Sequence, residues 1–223
     1  FKSSQTYFIF GAKSFRGTLG RPGANAFNTA FFTDAKGRVL GRYHKQVLLA
    51  FGEYLPFAKI LSLIPGIPFA DGFTPGPGPI AFNLSRGVRI APLICYEDLM
   101  PDIARKFVGE TRANILVNLT NDAWYGKTVG PWQHLWLAQS RAIETRRSLL
   151  RVTNTGVTSL VNAKGEVVKT LPMFRADTMQ TEVEILNGET VYVRFGDWFA
   201  WAMTIISLAV VLFAWKRSFR KAG

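Results

Sequence analysis

The sequence predicts an α/β fold with a mixed or antiparallel sheet component, followed by one membrane-crossing helix. Short apolar runs of strand character alternate with helix-like segments through the middle of the chain, the pattern of layered sheet and helix. Two hairpin units carry nearly the same turn, Asp34-Ala35-Lys36-Gly37 and Asn162-Ala163-Lys164-Gly165. Near the C-terminus, residues 198–215 run for 18 positions without a charge, and a hydrocarbon core needs roughly 17–25 residues to cross.

Taken in order, residues 7–12 (Tyr-Phe-Ile-Phe-Gly-Ala) read as a short buried strand and the polar, Gly-rich residues 13–25 as a loop. Residues 26–33 and 38–43 flank the first turn as paired strands. Between Phe51 and Phe82 the composition shifts to Pro, Gly and large apolar residues. So long an irregular stretch is expected either as a lid facing acyl chains or lipid, or as a short core helix over residues 58–64 with flanking turns. Residues 89–98 read Arg-Ile-Ala-Pro-Leu-Ile-Cys-Tyr-Glu-Asp and hold the only cysteine. A buried strand that stops at a thiol puts the sulfur at the rim of a sheet, where open α/β folds keep their chemistry. Residues 98–108 follow as a helix with an acidic start and Arg105-Lys106 in its last turn. Residues 113–119 form a buried strand ending in the polar, aromatic turn of residues 120–126. Residues 131–147 are the clearest helix, with Pro131 in its first turn and Leu135, Ala138, Ala142 and Thr145 at helical spacing. Residues 149–153 form a strand, Asn154-Thr155-Gly156 turns, and residues 158–161 and 166–170 make the second hairpin.

In the apolar run, Trp198, Trp201 and Trp215 stand near the ends, as at a membrane interface. Lys216, Arg217, Arg220 and Lys221 follow it directly. By the positive-inside rule the tail is cytoplasmic and the preceding domain lies on the other side. The net charge of +12 suits an anionic membrane surface. Zinc-ligand spacing, helix-turn-helix pattern and RNA-recognition signature are all lacking, and the basic residues are scattered, so nucleic acid is not an expected partner. One cysteine excludes an internal disulfide and a thiolate metal cluster.

A cysteine nucleophile needs an activating base and a cation near the developing oxyanion. His44 and His134 could form a Cys–His pair with Cys95. Lys45, at a strand end comparable to that of Cys95, together with Glu53 and Glu97, offers a carboxylate-and-lysine route; singly, each could equally be a solvated charge or a structural ion pair.

Several motifs resemble those of the nitrilase (carbon–nitrogen hydrolase) superfamily: Tyr43-His44-Lys45, Phe51-Gly52-Glu53-Tyr54-Leu55-Pro56, Ile94-Cys95-Tyr96-Glu97, residues 118–126 (Asn-Leu-Thr-Asn-Asp-Ala-Trp-Tyr-Gly), and Gln133-His134 with Arg141-Ala142 and Glu144. Combined with Asn154-Thr155-Gly156 and the C-terminal span, they are similar to the apolipoprotein N-acyltransferase family of bacteria. The resemblance implies a nitrilase-like αββα sandwich and a Glu–Lys–Cys triad without cofactor or metal. Cys95 matches the nucleophile and Lys45 the oxyanion-stabilising lysine. Glu53 matches the supporting glutamate, Tyr96 and Glu97 the pair supporting the pocket, and Trp124 and Tyr54 substrate-binding positions. The family's general base follows its opening strand in a Pro-Glu setting. No Pro-Glu precedes Lys45, so the chain is expected to be an N-terminally truncated form lacking that base, the first strand and helix, and upstream membrane helices. The implied division is a catalytic domain over residues 1–196, a transmembrane helix over 197–216 and a basic tail over 217–223. The implied activity moves a fatty acyl chain from a phospholipid to the N-terminal α-amine of a diacylglyceryl apolipoprotein. It would occur at the bacterial inner membrane, with the catalytic domain periplasmic. A membrane-tethered amidase, or an inert binding module, are the alternatives.

Overall fold

Among the described residues nine strands fall into two sheets, and the sequence shows why the larger one is buried. In the computed structural model, which describes residues 6–17, 24–57 and 72–222 with side chains to 217, β5 (Arg89–Ile94) and β6 (Ile115–Thr120) are apolar on both faces. That is the mark of parallel strands covered on both sides. They pair in parallel, and β6 pairs in parallel with β7 (Ser148–Thr153). β4 (Phe82–Asn83), β8 (Ser159–Val161) and β9 (Val167–Thr170) add antiparallel edges, giving the order β4-β5-β6-β7-β8-β9. Pro92 is tolerated inside β5 because β4 pairs no further than Ile90, so that side of the strand needs no donor beyond it. The mixed sheet expected from the second hairpin is therefore present.

The first hairpin makes a sheet of its own. β1 (Tyr7–Arg16), β2 (Asn25–Asp34) and β3 (Val39–His44) pair antiparallel in that order. Gly37, at φ 77°, closes the β2–β3 turn, and Asp34 caps it by accepting from the Lys36 and Arg38 N–H groups. The expectation of a short buried strand followed by a loop is corrected here. β1 extends through Lys13–Arg16, and Phe8, Phe10 and Phe15 are exposed. As the outer strand of this sheet among the described residues, β1 gains ladder bonds from β2 over its whole length without gaining a cover.

The two sheets share one core. Ala30, Phe32 and Tyr43 cluster with Phe82, Ala91, Leu93 and Leu116, and Phe32 stacks on Phe82 at 5.1 Å. Helices α1 (Pro101–Thr111) and α2 (Gly130–Thr145) join the same cluster through Phe107, Val108, Leu135 and Ala138. α1 does not begin at Asp98. Met100 is extended, as a residue before proline prefers, and Pro101 opens the helix. Residues Cys95–Leu99 form a separate 3-10 turn. Arg105 and Lys106 then fall mid-helix, because α1 runs to Thr111 before Arg112 ends it at φ 58°. A short α3 (Val191–Phe195) adds Val193 to the core. The apolar stretch over residues 58–71, including the candidate helix 58–64, lies outside the described residues.

The last helix, α4, spans Trp198–Ala222, so the basic segment continues the helix. Its stretch Trp198–Arg217 is long and apolar enough to cross a membrane, and none of its most apolar window is buried against the rest of the chain.

Phe107 is fully buried and meets Tyr43 edge-on at 5.2 Å. Phe107→Ala is expected to cost about 3–5 kcal/mol and to lower the midpoint of urea unfolding; an unmoved midpoint would contradict this account of the core.

Candidate active site

Cys95 follows β5 and opens the 3-10 turn with φ 53°, a left-handed conformation uncommon for a residue with a side chain. Such a residue costs on the order of 1–3 kcal/mol and persists only where the surroundings fix it. Three buried side chains do so. Asn118 on β6 donates to the Cys95 carbonyl at 3.0 Å. Arg141 on α2 donates to the Leu99 carbonyl at 2.7 Å, closing the far end of the turn, and pairs with Glu144 at 2.6 Å. Glu97, inside the turn, accepts from the Ile94 N–H at 2.8 Å.

Glu97 also reaches the other sheet. Its second oxygen accepts from the Tyr43 hydroxyl at 2.8 Å and from the backbone N–H groups of Gln46 and Val47 at 2.7 and 3.3 Å. Burial pushes the Glu97 carboxyl up and, with the Glu97 charge, raises Tyr43 as well. The three N–H groups and the phenol act against the first effect, and all four donate, so the carboxylate form is the one this setting solvates. Because Gln46 and Val47 follow Lys45, this one side chain brings the end of β3 to the turn that carries Cys95.

Lys45 is 1% exposed, and its ammonium meets Glu53 Oε2 at 2.5 Å. Glu53 further accepts from the Leu49 N–H at 2.8 Å and from the Asn28 amide at 2.7 Å. Burial works against ionising Glu53, but these donors, led by Lys45, outweigh it and hold its pKa below the ordinary carboxylate value. A carboxylate with three donors and a lowered pKa is a poor proton acceptor and a good orienter of the lysine.

Behind the cysteine turn lies a cluster of buried charges. His134 on α2 meets Asp98 through Nε2 at 2.8 Å and Asp122 through Nδ1 at 2.9 Å, and Arg151 on β7 donates to Asp98 at 2.9 Å. Arg151 and Asp98 are fully buried, with His134 and Asp122 nearly so. A neutral imidazole would aim a lone pair at one carboxylate, so the geometry calls for the doubly protonated ring. Burial alone would lower the His134 pKa; hydrogen bonds to Asp122 and Asp98 outweigh it and raise the value above the ordinary one.

The structure thus brings Lys45, Glu53, Glu97, Tyr96 and Cys95 to the facing ends of β3 and β5. Tyr96 lies over His134, with ring centroids 5.8 Å apart. Trp124, 85% exposed, stands on the 3-10 turn Asp122–Tyr125, and Tyr54 is exposed beside Glu53. The Cys–His pairing has no counterpart, since His134 is engaged by two aspartates and His44 bonds Thr29 at 2.8 Å. Arg151, Asp98 and Asp122 were not singled out as site residues from the sequence. Their signal was a charge inside an apolar strand and two aspartates just past strand ends.

A model of the carbon-nitrogen hydrolase family matches residues 2–188. The chain belongs to the carbon–nitrogen hydrolase family. It is similar to the apolipoprotein N-acyltransferase of Geobacter metallireducens, 38% identical over 191 residues, covering 85% of this chain and 36% of that protein. The apolipoprotein N-acyltransferase of Azotobacter vinelandii is 40% identical over 189 residues, covering 83% and 35%. The chain spans about a third of the length of these curated relatives. Among solved structures, an amidase from Nesterenkonia sp. shares the fold at TM-score 0.54 and 20% identity, covering 85% of this chain and 63% of that one. The nitrilase-type α/β fold expected from the sequence is the one present.

In this carbon–nitrogen hydrolase fold the His134 cluster makes stability pH-dependent. A group with a raised folded pKa contributes stability that is complete below its unfolded value, about 6.5, and lost as pH rises through the folded one. The melting temperature is expected to fall across that window, and His134→Gln to remove the fall; a pH-independent offset between the two proteins would contradict the imidazolium. Gly156 packs on the same cluster, where an added Cβ would stand 2.2 Å from Asp122 Oδ2. Gly156→Ala should therefore lower the melting temperature at all pH values.

Proposed function

We propose that this chain carries the acyl-transfer site of a membrane-bound apolipoprotein N-acyltransferase. The observation that carries the reading is the buried Lys45–Glu53 pair, tied through Glu97 to the left-handed Cys95 turn, in a chain that is 38–40% identical to apolipoprotein N-acyltransferases. The Cys95 thiol gives up its proton and its sulfur attacks the ester carbonyl of a phospholipid; the ester C–O bond breaks, the lysolipid alcohol leaves carrying the proton the thiol gave up, and a thioester forms. The α-amine of a diacylglyceryl apolipoprotein then attacks the thioester, the C–S bond breaks, and the proton lost by the amine returns to the thiol. Lys45 stabilises the oxyanion in both steps and Glu53 orients it. Glu97 and Tyr96 hold the turn.

The surroundings suit lipid substrates. Val47, Leu49, Phe51, Tyr54 and Phe57 are exposed along the segment that follows Lys45, and Trp124 is exposed on its own turn. These form an apolar rim for acyl chains, with Tyr54 and Trp124 as contacts. The unburied apolar stretch of α4, with basic residues at its C-terminal end, supports a membrane span over residues 197–216 with residues 217–223 cytoplasmic. Residues 1–196, the catalytic domain in this reading, would then be periplasmic, at the face of the inner membrane.

Trapping the acyl-enzyme tests the reading. With phospholipid labelled in its acyl chain, label is expected on Cys95 as a thioester cleaved by hydroxylamine, and Cys95→Ala should leave none. Lys45→Met should slow labelling by about 10²–10³-fold, as loss of an oxyanion-stabilising group does. Label retained in Cys95→Ala ends the nucleophile assignment.

A further inference from the structure

We propose that residues 187–196 form a rigid mount that seats the Cys95 end of the domain at the bilayer surface, with Val193 as its positioning residue. The inference rests on the reading of α4 as a membrane span. The segment runs along α1 in the opposite sense. Arg112, just past the C-terminal end of α1, pairs with Glu189. Three residues back, Gly109 packs on Val193: a Cβ added there would stand 3.7 Å from Val193 Cγ1. One turn further back, Arg105 donates to the Val193 carbonyl at 3.5 Å, and a Cβ on Gly196 would meet its guanidinium at 3.6 Å. At 1.5 Å of rise per residue, Arg105 lies about 6 Å from the Pro101 that opens α1. The chain therefore reaches Asp197 and α4 beside the end of α1 that joins the Cys95–Leu99 turn.

The mount is held too firmly to act as a loose tether. Val193 is 4% exposed and belongs to the core. Thr190 caps α3 by accepting from the Val193 N–H at 3.0 Å, and its hydroxyl donates to the Glu144 carbonyl on α2 at 2.6 Å. The buried Arg147 guanidinium donates to the Gly188 carbonyl. Gly196 closes α3 at φ 60°, where glycine is favoured, and its N–H donates to the Tyr192 carbonyl at 2.7 Å. α4 begins two residues later. These are contacts made within the described residues, so they hold whatever else covers the domain. β5 and β6 run parallel and finish at the same end, that of Cys95 and Trp124. One mount thus sets the height of both the proposed nucleophile and the acyl-chain rim above the bilayer.

Fluorescence from a single labelled cysteine, in a Cys95→Ser background, reads that height. Label on Trp124→Cys reports the Cys95 end of the domain. Label on Ser85→Cys, an exposed position before β5, reports the opposite end. In phosphatidylcholine vesicles containing a headgroup nitroxide lipid, label at position 124 is expected to be quenched several-fold more than label at 85. A Gly/Ser insertion of about twelve residues between Gly196 and Asp197 adds about 20 Å of slack, which matches the length of β5 at about 3.3 Å per residue. It leaves every contact of the mount in place, so the two labels should become equally quenched with the melting temperature unchanged. Val193→Asp should also abolish the contrast; if that variant does not fold, the insertion alone decides. Equal or reversed quenching in the parent chain, or a contrast that survives the insertion, overturns the proposal. A chain that fails to float with vesicles removes the membrane span, and this inference with it. Acyl transfer by Cys95 plays no part in the readout, so its failure is recognised separately.

Discussion

A buried carboxylate, Glu97, receives donors from both sheets, and the position of Lys45 relative to Cys95 follows from that. Its donors are the Tyr43 phenol and the N–H groups of Gln46, Val47 and Ile94. Burying a carboxylate is costly unless its oxygens are satisfied, and here four donors offset the lost hydration. The same bonds fix the end of β3 against the end of β5. Lys45 sits one residue before the N–H of Gln46, and Cys95 two residues before Glu97. The relative position of the proposed oxyanion lysine and the proposed nucleophile is therefore set by one side chain and by backbone amides, with little rotamer freedom left to lose.

The turn that carries Cys95 is held from behind by a second device of different character. Asp98, Asp122, His134 and Arg151 form a compact set of buried charges that sums to neutrality when the imidazole is protonated. Removing one member would leave an uncompensated charge in the interior, which costs far more than the pair itself contributes. The cluster joins the 3-10 turn after Cys95 to the turn that bears Trp124, through α2 and β7. In the proposed acyl transfer, the nucleophile and the acyl-chain rim are thereby coupled through charges rather than through shared apolar packing.

Two stretches of the described chain gather uncovered apolar residues. α4 presents aliphatic residues that nothing among the described residues covers, and the segment after Lys45 exposes large apolar residues beside the site. Exposed apolar area on this scale is stable where lipid or a partner replaces water. His44 and Lys45 lie on opposite sides of the end of β3, since alternate residues of a strand face opposite sides. His44 meets Thr29 and Phe27 on one side, and Lys45 meets the Glu53 carboxylate on the other.

The order of strands and turns, the cysteine at a strand end, the repeated hairpin turns and the apolar final helix were legible in the sequence, because each depends on neighbours a few residues apart. Cys95, Lys45, Glu53 and Glu97 could be named as candidates because they sit at strand ends, and their motifs resemble a family. The sequence did not reveal that the first hairpin forms a separate sheet with an exposed outer strand, since local pattern does not choose a strand's partners. Nor did it reveal the role of His134, whose carboxylates lie 12 and 36 residues away, or of Arg151, which is 53 residues from Asp98. Local chemistry decided which residues could act. Which of them meet was decided only when two sheets closed over Glu97, because a buried charge accepts whatever donors the tertiary fold brings to it.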